Sequence, residues 1–562
     1  MKIKLMIFLG ILFFGIFDFV KKPLIYNINI FNDKIRKIKE MSLKNSNSSY
    51  YNDTKYDNIV VISVSDGLKQ AKCFSSKDSC LKNALDNTIL KATRYINRNR
   101  IFPKFVKVDF SNYINNLSSS SLSDYIIRDN RNRFKYGIYF NKKDDYILLK
   151  EEINCNQIIN YIQKDIDIDN LNNYLNTKLD KIPSNISIFT TFSYFCDENY
   201  NVYKISNNND NLGFRDIENV NVSLIEKIIE TSKDYLNNII LDSGKFIYCY
   251  NALTDSFSSK YNFVRHAGSC WALAETMTND YDDKKLNLAF GYILKYIIYK
   301  DNSTAFISTN NKIILGTQGL ILTALSSYLQ KKRNDKLLQI AIQLGNGIIF
   351  MQNENGQLRH ILNSYDFSTL DIYHCIYYDG ESILGLIKLY NVTKNVNYLN
   401  AAKKSMDYLF KINNTDYKNH WIIYCSNEIT KYVDSIHFYQ LGIQNIKDLF
   451  NNIYYKNTTN PTDFEKLIQA YELYSRIHNK NINITYPINF EADLLKTIKY
   501  RAKFQLNSYV FPEVGIYFKN PSKSIGAFYV KTKKYRIRND IIQHSIVGYS
   551  YFVKNYKQIY SS

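Results

Sequence analysis

The segment Tyr377 to Phe410, YYDGESILGLIKLYNVTKNVNYLNAAKKSMDYLF, reads as two helices joined by a short polar turn. The first opens after an aromatic-acid-glycine entry, carries the small residues Gly380 and Ser382 in its first turn, and runs through leucines to Leu389-Tyr390. The second, Tyr398 to Lys411, is longer and amphipathic, with apolar residues recurring at three and four. Gly316 to Gly356 repeats the scheme: Gly316 and Gly319 open one helix, Lys336 to Gln352 forms its amphipathic partner, and FMQNENG closes the unit. Outward from these two pairs the same periodicity predicts helices at 224–241, 269–279, 285–299, 424–439, 463–476, 490–504 and 541–554, about eleven in all. A helix pair every 50–60 residues cannot bury its apolar faces alone, so the pairs must stack. With the count near twelve, closure into an all-α (α/α)6 toroid over residues 220–562 is the economical solution.

Upstream the texture changes. Asn58 to Val64 (NIVVISV), Phe105 to Phe110 (FVKVDF), Gly137 to Phe140 (GIYF) and Tyr146 to Leu149 (YILL) have strand character, while Leu81 to Arg98 is helical by period. The chain is therefore multidomain, with a small α/β (α+β) module over 55–170 and a connecting segment over 171–219 ahead of the toroid. Residues 27–54 are expected to form a polar linker. Residues 1–26 place Lys2 and Lys4 before the uncharged run Leu5 to Phe17 (LMIFLGILFFGIF) and Asp18 and Lys21-Lys22 after it. Thirteen apolar residues suit a signal segment better than a full membrane span, and no small-x-small cleavage site follows. This is the pattern of an uncleaved signal anchor, with a cleaved signal peptide as the alternative. The expected location is membrane-anchored and extracytoplasmic, or else secreted.

Composition bounds the partners. With 45% hydrophobic and 22% charged residues, 19 Gly and 7 Pro, the 562-residue chain is neither disordered nor fibrous. An excess of 72 Lys+Arg over 52 Asp+Glu, +20 in all, favours an acidic polysaccharide or anionic surface. The basic runs are short and scattered, without a nucleic-acid-binding signature, so nucleic acid is not an expected partner. The eight cysteines include no CxxC pair, and their connectivity cannot be read from spacing.

The Tyr377–Phe410 pattern and its repeat over Gly316–Gly356 resemble the helix pairs of six-hairpin glycosidase-like toroids, across roughly residues 220–560. The resemblance implies the fold and leaves the reaction open, because hydrolases, lyases and epimerases share that architecture. It also implies that loops entering the inner helices converge on one mouth. Residues at that position are Arg265 and His266, Gln318, Tyr378 with Asp379 and Glu381, Trp421 and Glu428, and Arg538, Asp540, Gln543 and His544.

Paired carboxylates divide acid and base work when their surroundings push their pKa values apart. Asp379, Glu381, Glu428 and Asp540 are accordingly the expected catalytic set. Asp379 and Glu381 are also well placed to cap a helix amino terminus, a purely structural role. Arg265, His266, Gln318, Tyr378, Trp421, Arg538 and His544 are the expected substrate-binding set: cations for an anionic ligand, rings for pyranose faces, histidines for hydroxyls. Asp165, Asp167 and Asp169 resemble the start of a calcium loop but lack its glycine and its closing glutamate. His374-Cys375 with Cys270 and Cys425 is in the wrong order for the zinc set of the lanthionine cyclases. No metal and no cofactor is therefore expected. The reading that results is an exported carbohydrate-active protein acting on an anionic envelope or extracellular polysaccharide by hydrolase, lyase or epimerase chemistry. The alternative is a non-catalytic glycan-binding or envelope-assembly protein.

Overall fold

A computed structural model describes residues 26–44, 58–126, 134–140, 146–206, 213–370, 374–412, 419–529 and 535–561. The apolar run Leu5 to Phe17 lies outside them. No described helix is long and apolar enough to cross a membrane. All eight cysteines are free. The chain divides into two compact units.

The first unit holds residues 1–218 together with 252–255 and 510–525. Its sheet consists of β1 (Asn58–Ser65), β2 (Lys72–Asp78), β3 (Phe105–Ser118), β4 (Gly137–Phe140), β5 (Tyr146–Leu148), β8 (Asn185–Cys196) and β9 (Val202–Ile205), with the hairpin β6 (Ile159–Asn160) and β7 (Asp165–Ile166) apart from it. The order is β2-β1-β3-β8-β4-β5, with β9 also on β8, and every pairing is antiparallel. The module is therefore of α+β type. Two expectations change here. The segment 171–219, taken as a connector, supplies β8, the partner of β3, because NISIFTTFSYFC is β-branched and aromatic enough to fill a buried strand. The linker expected over 27–54 holds a helix, α1 (26–44), whose Ile30, Phe31, Ile35 and Ile38 are buried at helical spacing.

Helices α1 and α2 (Leu81–Asn99) cover one face of the sheet, where Val60, Ile62, Val64, Val106, Val108 and Phe110 form the core. Strand alternation sends Lys107 and Asp109 to the opposite face, where both are fully buried. Lys107 Nζ donates to Asp109 at 2.7 Å and lies 3.2 Å from Glu151 of α3 (Lys150–Cys155). The expected calcium-loop residue Asp167 instead caps α4 (Ile168–Leu175), accepting from the Asn170 N–H at 3.0 Å. The segment that holds the short helix α17 (Pro512–Gly515) is bound to this unit by Arg215, which donates to both carboxylate oxygens of Glu513 at 2.8 Å.

The second unit holds residues 219–251, 256–509 and 526–562. Its helices are α5 (Val222–Asn238), α6 (Phe263–Thr276), α7 (Asp280–Ile293), α8 (Leu315–Leu329), α9 (Asp335–Phe350), α10 (Tyr378–Thr393), α11 (Val396–Ile412), α12 (His420–Ile429), α13 (Ile436–Ile446), the short α14 (Phe450–Tyr455), α15 (Pro461–Asn479), α16 (Phe490–Phe504) and α18 (Asn539–Ser561). The long helix expected at 424–439 is two, α12 and α13, broken at Thr430–Ser435, and this completes six pairs.

Burial separates the pairs into an inner and an outer member. In α8 every residue from Leu315 to Tyr328 is buried, whereas α11 buries Tyr398, Ala401, Ala402, Ser405, Met406 and Leu409, one face only. The inner helices pack in the closed sequence α6-α8-α10-α12-α15-α18-α6. Their first two turns meet one another, as Arg265 meets Asp540 and His544 meets Glu465. Their last two turns do likewise, as Lys388 and Ser327 meet Glu275. The six inner helices thus run parallel. The strands leading into α6 and α18 also pair, Cys249 opposite Arg538, which fastens the ring where it closes. The second unit is an (α/α)6 toroid with all inner amino termini at one end.

Candidate active site

That end is the mouth. Inner-helix amino termini leave N–H groups unsatisfied and present the positive end of each dipole, so acidic and polar side chains gather there. Asp540 opens α18 and is held by Arg538 through both carboxylate oxygens, with Arg265 Nε of α6 at 3.3 Å. Burial alone would raise this carboxyl, but the Arg538 hydrogen bonds and the two guanidinium charges overcome it and hold Asp540 below the usual carboxylate range.

Glu381 sits in the first turn of α10 and is 4% exposed. Its Oε2 is buried without a hydrogen-bond partner. Burial pushes this carboxyl up to about 8, against the opposing charge of Arg265. The Arg265 charge therefore acts on two carboxyls that their surroundings hold in opposite states, Glu381 neutral at pH 7 and Asp540 ionised.

A second group lies beside them. Glu465, on α15, is fully buried; its Oε1 accepts from the Tyr424 hydroxyl at 3.1 Å and its Oε2 bonds His544 Nδ1 at 2.9 Å. His420, first residue of α12, sets its ring edge-on to His544 with centroids 5.0 Å apart, and its Nε2 is buried without a partner. Burial, then the charges of His544, Lys466 and Arg265, keep the His420 imidazole well below its usual pKa. Trp421 packs 4.6 Å from His420 and 5.5 Å from Trp271, and at 2% exposure it forms a buried floor. The open aromatic at the mouth is Tyr377.

Asp379 accepts from His360 Nε2 at 2.9 Å, and His360 Nδ1 accepts the Cys375 N–H at 3.1 Å. His360 in turn stacks on the exposed His374 at 4.0 Å and lies 5.7 Å from the Tyr378 ring. Both ring nitrogens of His360 are committed, so this cluster braces the entry to α10. The metal-competent groupings among the described residues are His360-His374-Asp379 and His420-Glu465-His544, and neither contains a cysteine.

Three expected site residues lie elsewhere. His266 is one position past Arg265, and the helical turn of about 100° per residue swings it outward. Its Nε2 meets Ala289 O of α7 at 2.9 Å, its Nδ1 meets the Tyr261 hydroxyl, and burial lowers its pKa to about 4. Gln318 spends its amide on the backbone of Ile307 and Ile314, tying the strand Ala305–Thr309 to α8. Glu428 lies at the carboxyl end of α12, eight residues or about 12 Å from the mouth, bonded to Lys431 at 2.5 Å. The structure adds His360, His420 and Glu465 to the mouth. Of these, His420 was open to sequence reading, since it follows Asn419, an N-cap that bonds the Trp421 N–H at 2.9 Å.

No family model matches the chain, and no match is found among curated proteins. Among solved structures it is similar to a D-mannose isomerase, at 10% identity and TM-score 0.47 over 60% of this chain and 100% of that one. A cellobiose 2-epimerase from Bacillus thermoamylovorans matches at 10% identity and TM-score 0.47, over 59% of this chain and 99% of that one. An α-mannanase from Bacteroides thetaiotaomicron matches at 11% identity and TM-score 0.41, over 60% and 97%.

Proposed function

We propose that the toroid is a carbohydrate-active enzyme in which Glu381 is the general acid and Asp540 the charged carboxylate at a glycosidic bond. One observation carries this reading: two buried first-turn carboxyls that feel the same Arg265 charge are held in opposite states, Glu381 neutral by burial and Asp540, 3.3 Å from Arg265, ionised. Glycosidic cleavage needs that division, a proton for the departing oxygen and a negative charge for the oxocarbenium-like centre. The exposed Tyr377 offers a ring to a pyranose face, and the +20 net charge favours an anionic polymer. Export and tethering through Leu5 to Phe17 belong to the same proposal on sequence grounds.

The test is turnover of acidic polysaccharides, followed as released reducing ends, by wild type, Glu381→Gln and Asp540→Asn. Loss of the acid should cost ~10²–10⁴-fold and be partly recovered on aryl glycosides whose leaving group needs no proton. Full turnover of the natural polymer by Glu381→Gln would sink the reading. A chain that only holds polymer would bind it and release nothing in any variant.

A second reading rests on the His420–His544 pair, a partnerless imidazole nitrogen beside an imidazole oriented by Glu465. Such a pair suits proton abstraction next to a sugar carbonyl. Deuterium from solvent entering C2 of a reducing sugar would favour it over cleavage.

A further inference from the structure

We propose that His420, Glu465 and His544 form a binding site for one divalent first-row transition ion, of which zinc is the probe. One nitrogen from each ring and one oxygen of the Glu465 carboxylate already lie within 4.8 Å of one another, on three different inner helices. A tetrahedral ion with bonds of about 2.1 Å brings its ligands to about 3.4 Å apart. Binding therefore requires the three ligand atoms to close by up to about 1.4 Å.

An independent feature points to a missing ligand. His420 Nε2 is buried and makes no hydrogen bond, an unfavourable state for a polar atom shielded from water. An ion at this position would accept that lone pair. The surrounding bonds are of the kind that hold a ligand set in place: the Tyr424 hydroxyl occupies Glu465 Oε1 and leaves Oε2 directed at His544. The positive charge of Arg265 is offset by Asp540 at 3.3 Å.

The donor set selects the ion. Two imidazoles and one carboxylate suit zinc or ferrous iron and are poor for calcium or magnesium, which take oxygen ligands. Three protein ligands leave a position open, the mark of a site that takes a water or a substrate oxygen. The site is compatible with the acid-base reading of Glu381 and depends on neither reading, but an ion bound there takes the His420 lone pair and so excludes His420 as the free base of the second reading.

The experiment uses the full chain, stripped with chelator and dialysed. Zinc is titrated by calorimetry, cobalt(II) is followed through its visible absorption, and the protein as purified is assayed for bound elements. The expected result is one equivalent of ion with tetrahedral-type cobalt bands. Affinity should fall ~100-fold or more in His420→Gln and in Glu465→Gln and persist in His374→Gln, which disrupts the other histidine cluster. Circular dichroism of each metal-free variant separates lost binding from lost fold. The wild-type cobalt spectrum and stoichiometry stand even where a variant does not fold. Absence of a stoichiometric ion in wild type overturns the proposal, as does binding by His420→Gln equal to wild type. Turnover that survives chelator would leave the acid-base reading of Glu381 untouched.

Discussion

Gln543 of α18 lies against Gly268 of α6, its side-chain amide filling the space that a β-carbon at 268 would need. The contact joins the last inner helix to the first across about 275 residues of chain, and it is where the ring becomes a ring. A bulkier residue there displaces only the end of a flexible side chain. Gly319 of α8 is different: a β-carbon would stand 2.6 Å from the Glu381 carbonyl carbon and the Ser382 nitrogen, both backbone.

This difference predicts unequal costs. Gly319→Ala should destabilise the protein by about 1–3 kcal/mol, the range for overpacking a close crossing, and should move Glu381 as well. Gly268→Ala should cost less, because Gln543 can swing aside. Denaturant melts compare the two, and an equal or reversed order would contradict the geometry.

Glu381 sets a pH dependence. Its folded pKa of about 8 is above that of an ordinary glutamate, so between roughly pH 4.5 and 8 the folded state binds the extra proton. Stability from this group is full below pH 4.5 and declines as pH rises to about 8. Glu381→Gln should therefore gain on wild type over that interval, by a few kcal/mol at most, as read from melts at pH 5 and pH 8. On the proposed mechanism the wild-type rate also falls above about pH 8, where the acid has lost its proton.

At the opposite end of the toroid, Lys388 pairs with Glu275 at 3.2 Å, both nearly buried. Burial would raise Glu275, but Lys388, Lys554 and the hydrogen bonds of Ser327 and Trp271 bring it down to about 2. A lowered carboxyl contributes stability above its unfolded pKa and loses it as pH falls toward 2. Lys388→Met strands the carboxylate and should cost about 3–5 kcal/mol at pH 7, with a smaller penalty at pH 3. A pH-independent penalty would mean that the pair carries no such charge coupling.

In the first unit, Glu513→Gln would leave the Arg215 guanidinium without its anion, although Tyr203 and Phe511 still sandwich it at 3.8 and 4.4 Å. A cost of about 3–5 kcal/mol is expected, with new protease cleavage inside 510–525. Unchanged cleavage would show that the segment is held by other contacts.

The toroid was legible because two inner helices open with small residues, Gly316 and Gly319 in α8 and Gly380 and Ser382 in α10, and each is followed by an amphipathic partner with a polar face. The pair α12–α13 was fused in reading because the break at Thr430–Ser435 contains neither glycine nor proline. Strand β8 was missed because Asn- and Asp-rich sequence flanks it on both sides. At the mouth, Arg265, Asp379, Glu381 and Asp540 could be named from their first-turn positions, and His544 from its place one turn further along α18. Glu465 could not, since its partners Tyr424 and His544 come from two other helices and nothing local marks it. His266 misled for the reverse reason: sequence gives the turn of the helix but not the direction in which one side chain leaves it.

The membership of 510–525 in the first unit bears on how the chain is made. A ribosome that has finished residue 218 must add about three hundred more before Tyr517 can reach its hydroxyl partner Ser63 at 2.8 Å. At ~5–20 residues per second that wait is roughly 15–60 s. Throughout it the sheet face bearing Lys107 and Asp109, with Glu151 of α3 against it, lacks Tyr517. Nascent chains stalled before and after residue 525 should therefore differ sharply in protease resistance of the first unit, because only the longer ones can cover that buried charge cluster with Tyr517.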